Sequence, residues 1–184
     1  DFGSIKRQRK GFVSRLKAEG IEVAVFNPIN PFMNIFMNNR NHRKIIVIDG
    51  KTAFTGGFNI GDEYCNIVER FGYWKDSAVI LKGSAVKSFL CMFCSMWEFT
   101  TRKPIKMENY ICDFSVESNG FVIPYSDDPI DDKNPAEGIY MQILSTAQRY
   151  VYIATPYLII DNAMKDQLMM AAKSGIDVRI AVPH

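Results

Sequence analysis

Two short apolar runs joined by a turn, in the stretch RKIIVIDGKTAFTGG at residues 43–57, limit what this chain can fold into more than any other feature. The run Ile45 to Ile48 reads as a buried strand, DGK as a turn and TAFTG as a second strand, so the two form a hairpin. A hairpin returns the chain to where it began. His42 and Lys44 open the first strand, and Gly56, Gly57 and Asn59 close the second. Residues two apart on a strand project from the same face. His42 and Lys44 therefore stand side by side, while Asp49 falls on the opposite face near the strand's end, where it can hold the turn. Glycines at 56 and 57 let backbone N–H groups approach a ligand closely, and Asn59 adds a side-chain donor.

Around the hairpin, helix and strand alternate. Residues 5–19 are predicted as a short basic helix stopped by Gly20, IEVAVF as a strand ending at NPINP, DSAVILKG as a further strand, and residues 84–100 as an amphipathic helix rich in Phe, Met and Trp. Residues 101–137 break the rhythm. ESNG and PYSDDPIDDKNPAEG concentrate turn formers and acids around one short strand, FVIPY, and read as a connection between two halves. Helix 135–148, strand YVYIAT, helix 162–174 and strand IDVRIAV then follow in order, the pattern of a parallel sheet covered by helices. LKAEGIEVAVFNP and AAKSGIDVRIAVP share one grammar of helix, glycine stop, strand and proline, as repeated α/β construction would produce.

Composition narrows the classes. A chain of 184 residues with 47% hydrophobic content and a formal charge of +2 can bury a core and is not disordered. That charge is too mild to argue for nucleic acid, and the one concentrated run, KRQRK at residues 6–10, reads as a solvated helix face. No apolar run reaches the roughly 18 residues that a spanning helix needs. The chain opens at Asp1 and stops at VRIAVPH directly after an expected strand, so it reads as a piece of a longer protein whose membrane anchor, if any, lies elsewhere. Cys91 and Cys94 have C-x-x-C spacing but sit at helical positions within AVKSFLCMFCSMWEF, with no second pair or histidine nearby. With Cys65 and Cys112 they are expected to be reduced thiols, with no disulfide, no zinc and a reducing compartment.

An imidazole, an ammonium and an amide converging without metal ligands suit a phosphate. The lysine and amides stabilise charge on phosphoryl oxygens, and the imidazole can attack phosphorus. A structural histidine beside a solvated lysine is the plain alternative. The order favours chemistry: H-x-K, four residues, D, six residues, then G-G-x-N.

That string resembles the signature of the phospholipase D superfamily. RNHRKIIVIDGKTAFTGGFNIGDEY and GYWKDSAVILKGSAV are similar to bacterial cardiolipin synthases in particular, and TPYLIIDNAMKDQLMMAAKSGIDVRIAVP resembles the opening of that family's second half. The chain departs from the pattern in TPYLIID, where a proline usually precedes the aspartate, and in DSAV, where a histidine commonly follows. The resemblance implies an α/β protein, a phospholipase D-like α/β/α sandwich with a mixed, largely parallel sheet, here incomplete. Residues 1–110 would be the first, motif-bearing half, 111–137 the connection and 138–184 the beginning of the second half. The family builds one site from two motifs. This chain has two histidines, and His184 is its last residue, so one H-x-K is present.

By the resemblance, His42, Lys44, Asp49, Asn59 and Asp76 are the catalytic set, with Gly56, Gly57, Glu63 and Tyr157 at the substrate. His42 is taken as the nucleophile, with the reverse assignment to its partner histidine open by near symmetry. Lys44 and Asn59 hold the phosphoryl oxygens. Asp76, or else Glu63 or Asp49, ties the second imidazole nitrogen, and Tyr157 with Pro156 lines the lipid entrance. The implied reaction is transfer of a phosphatidyl group between phosphatidylglycerols through a phospho-histidine, with no metal and no cofactor. The implied partners are phosphatidylglycerol, the membrane surface and the missing second half, with a homo-oligomer as an option and no nucleic acid. The implied place is the cytoplasmic side of a bacterial cell membrane. Hydrolysis of a lipid or nucleic-acid phosphodiester, or non-catalytic binding of anionic head groups, are the alternatives. The isolated chain is expected to be inactive.

Overall fold

The computed structural model describes residues 10–28, 41–70, 72–127 and 134–183. The chain forms two compact units, Asp1–Pro124 and Tyr125–His184.

The first unit is organised by the hairpin. Strand β1 (Ile45–Ile48) and strand β2 (Thr52–Gly56) pair antiparallel, with Ile45 opposite Thr55 and Ile48 opposite Thr52. Asp49 (φ 53°) and Gly50 (φ 63°) are both left-handed, and the Lys51 N–H donates to the Ile48 carbonyl at 3.0 Å. The three residues Asp49, Gly50 and Lys51 thus join the strands through a tight turn with positive φ at its first two positions. Glycine is required at position 50, because a β-carbon there would collide with the Tyr110 carbonyl. Strand β3 (Ala78–Lys82) pairs antiparallel with β2 from Gly56–Ala78 to Thr52–Lys82, completing the order β1-β2-β3.

Helix α1 (Phe12–Ala18) ends at Gly20, whose φ of 84° supports the predicted stop; the start of that predicted helix and most of KRQRK lie outside the described residues. Helix α2 (Val86–Thr101) covers one face of the sheet. Ala53, Val86 and Phe89 form the buried centre, with Ile45, Val47 and Leu81 packed against it. Alternation turns Ile46 and Ile48 to the other face, where they are 41% and 47% exposed, together with Ile80. The Ile45 to Ile48 run is therefore covered on one side only, a correction to the expected buried strand: α2 shields a single face.

Two predicted strands are also corrected. IEVAVF forms no strand, although Phe26 packs on Phe99 of α2 with ring centroids 5.8 Å apart. FVIPY forms none either, and Phe121 is fully exposed. Extended apolar residues become strands only where a neighbour takes their backbone groups, and no described strand pairs with these segments.

In the second unit, helix α3 (Pro135–Thr146), strand β4 (Tyr150–Ala154), helix α4 (Asn162–Lys173) and strand β5 (Asp177–Ala181) follow the predicted order. β4 and β5 pair parallel, Tyr150 opposite Asp177 and Ala154 opposite Ala181. A parallel pair needs a crossover, and α4 supplies it. Its N-cap Asp161 accepts from the Met164 N–H at 2.8 Å. The α/β class holds, with strand directions mixed: antiparallel in the first unit, parallel in the second.

Candidate active site

The site is built where three segments meet at one end of the three-stranded sheet. Lys44 directly precedes β1, Gly57 follows β2, and Asp76 with Ser77 precedes β3. The register brings these positions together, because Ile45 faces Thr55 and Gly56 faces Ala78. By the alternation of β1, Lys44 lies on the face that carries Ile46, away from α2.

His42 and Lys44 touch as predicted. The Lys44 Nζ lies 3.0 Å from the His42 Nδ1 and donates to the His42 carbonyl at 2.6 Å. An ammonium is donor only, so this contact places the neutral ring's proton on Nε2. Burial holds the Lys44 pKa below the ordinary lysine value, and the negative charge of Asp76 pulls it back upward. His42 itself is exposed. On the opposite face, Asn41 anchors the segment: its Oδ1 accepts from the Arg43 N–H at 3.1 Å and from Nε at 3.0 Å, and its Nδ2 donates to the Met96 Sδ on α2 at 2.7 Å.

The Asp76 carboxylate is held by neighbours on its own segment. One carboxylate oxygen accepts from the Ser77 N–H at 2.8 Å and the other from the Trp74 indole N–H at 3.3 Å. His42 Nδ1 faces Lys44. The glycines also have another use here. A β-carbon on Gly56 would stand 2.6 Å from the Ser77 carbonyl, and one on Gly57 would stand 2.7 Å from the Asp76 Oδ1. The Gly57 N–H donates to the Ser77 carbonyl at 3.3 Å. The glycine pair makes room for β3 and for the acid.

Asn59 is half-buried just beyond Gly57, and Glu63 lies in the turns that follow, its Oε2 close to Gly61. Asp49 is not gathered with these residues. It occupies the turn at the far end of β1, in a conformation that Asp and Asn tolerate better than most side chains. Tyr157 belongs to the second unit, 80% exposed in a turn where the Thr155 hydroxyl donates to the Tyr157 carbonyl at 3.0 Å. Sequence reasoning missed Asn66 and Trp74. The aromatic cluster Tyr64, Tyr73 and Trp74 between GGFN and DSAV was the available signal. Cys91 is exposed and Cys94 buried on α2. Among the described residues, no three His, Cys, Asp or Glu side chains are grouped to hold a metal ion.

An imidazole and an ammonium in contact, with a carboxylate held at the same sheet end, fit a phospholipase D-like domain. The chain belongs to the family described as cardiolipin synthase, PLD-like domain, which matches residues 1–97. An uncharacterized protein of Streptococcus mutans serotype c is 49% identical over 174 residues, covering 94% of this chain and 38% of the relative. The probable cardiolipin synthase YwiE of Bacillus subtilis is 36% identical over 184 residues, covering 99% of this chain and 36% of the relative. A cardiolipin synthase of Alkalihalophilus pseudofirmus is 36% identical over 178 residues, covering 95% and 35%. The chain thus spans 35–38% of the length of these relatives. No solved structure matches it.

Proposed function

We propose that this chain carries one motif of a phosphatidyltransferase that makes cardiolipin from phosphatidylglycerol. The observation that carries the reading is the 3.0 Å contact between His42 Nδ1 and Lys44 Nζ, at the sheet end that Asp76 shares, in a chain of this family. Substrate phosphate is a stronger partner for the ammonium than a neutral ring nitrogen. Binding would draw Lys44 onto a phosphoryl oxygen, with Asn59 beside it, and release Nδ1 to take the ring proton. The free Nε2 lone pair then attacks phosphorus. A phosphorus–nitrogen bond forms, the bond to glycerol breaks, and a partner histidine protonates the departing alkoxide. The same partner next deprotonates a hydroxyl of a second phosphatidylglycerol, which displaces His42.

We read residues 1–110 as the motif-bearing half and 138–184 as the opening of a second half, joined by 111–137. The partner histidine belongs to the remainder of the protein. We read the catalytic region as working at a bacterial membrane, on its cytoplasmic face; no helix among the described residues is long and apolar enough to cross one. The test is to incubate the complete protein with phosphatidylglycerol labelled in its phosphate. Cardiolipin as product, with acid-labile label on the protein that is lost in His42→Ala, supports the reading. Phosphatidic acid would make the protein a hydrolase, and no product would make it a head-group binder.

A further inference from the structure

We propose that Trp74, held in place by Asn66, is a positioning residue that fixes the Asp76 carboxylate at the sheet end it shares with Lys44. The inference deepens the reading of this site as a phosphoryl-transfer centre, and rests on it for its purpose though not for its geometry.

Asn66 lies eight residues before Trp74 and takes both of its backbone polar groups. The Trp74 N–H donates to the Asn66 Oδ1 at 2.6 Å, and the Asn66 Nδ2 donates to the Trp74 carbonyl at 2.9 Å. A side chain thus does for residue 74 what a neighbouring strand would do. Asn66 reaches this pose from a left-handed backbone, φ 56°, which asparagine tolerates. The indole is fixed from a second side by Tyr64, whose ring meets it edge-on at 4.8 Å and 87°.

Held at backbone and ring, Trp74 points its Nε1 at Asp76 Oδ2, while the Ser77 N–H takes Oδ1. Gly57 leaves the space that the carboxylate fills. Asp76 is exposed, and a freely rotating exposed acid contributes little to a neighbouring cation. Two donors from different residues remove that freedom. Its charge then acts on the partly buried Lys44, where it opposes desolvation. An aromatic that only packed a loop would need neither the indole N–H nor the paired bonds from Asn66.

The experiment follows the Lys44 side chain in the complete protein, by NMR of isotopically labelled lysines through an alkaline titration, its signal assigned by loss in Lys44→Met. Trp74→Phe keeps the ring and deletes the N–H. Asn66→Gly keeps the left-handed backbone and releases residue 74. Both are expected to move the Lys44 midpoint downward, in the same direction as Asp76→Asn but by less, and neither should add anything in an Asp76→Asn background. An unmoved midpoint in both variants would overturn the proposal, as would a shift that persists without the acid. Should Trp74→Phe lose its native amide dispersion, Asn66→Gly alone decides. The readout is independent of turnover, so a complete protein with no transferase activity would sink the functional reading and leave this one standing.

Discussion

Lys44 is under two opposed influences, partial burial that disfavours its charge and an aspartate that restores it. The balance sets a pH window. Protonation of an ordinary lysine is lost near pH 10.4. Because the folded value is lowered, any step that needs the Lys44 cation is lost as pH rises through that lower value, before an ordinary lysine would titrate. The alkaline limb of the rate profile is therefore expected below the usual lysine range in the complete protein, and Asp76→Asn should move it lower still. At His42 the expectation is categorical. His42→Ala should reduce transfer by on the order of a thousandfold or more, since the members of a catalytic set act as a unit. Cys91→Ser, on the exposed side of α2, should leave the rate within about twofold, because an exposed thiol away from a catalytic set is seldom worth more than a few tenths of a kcal/mol. Near-normal cardiolipin formation by the His42 variant would refute the assignment.

The Asp49–Gly50 turn separates what a motif letter signifies from what it does. The aspartate recurs in the signature, yet here it sits at the opposite end of β1 from His42, where the chain needs two left-handed residues. Asp49→Asn should keep stability within about 0.5 kcal/mol and keep activity, because asparagine tolerates positive φ equally well. Asp49→Val should cost roughly 1–3 kcal/mol in a denaturant titration, the cost of a β-branched side chain in that region. Loss of activity in a stable Asp49→Asn would return the residue to the chemistry. The hairpin itself was legible because Asp-Gly between two apolar runs has one economical solution. Helix α2 was legible from its apolar spacing, and α3-β4-α4-β5 from length and glycine stops. IEVAVF and FVIPY misled because apolar and extended character says nothing of a pairing partner. The Asn66–Trp74 clamp was illegible for a related reason: side chain to backbone bonds across a loop leave no period in the sequence.

At the scale of the molecule, the described residues leave apolar sheet faces open in each unit. Ile46, Ile48 and Ile80 line the sheet face opposite α2, and Tyr150 and Tyr152 stand on the open face of the β4–β5 pair, all between 41% and 60% exposed. That face of the first sheet is also the face of Lys44, so whatever covers it would stand beside the candidate site. The relatives are long enough to supply such a layer, since this chain spans 35–38% of them. A single described imidazole provides a nucleophile or a proton donor, whereas the proposed transfer uses both. The purified chain alone is therefore expected to show no turnover of phosphatidylglycerol and to self-associate at micromolar concentration, as chains with large open apolar faces do. Mixing it with the remainder of the protein should restore both solubility and cardiolipin formation. Robust turnover by the chain alone, in a homodimer that brings two copies of His42 together, would overturn the two-half reading and make the dimer the active form.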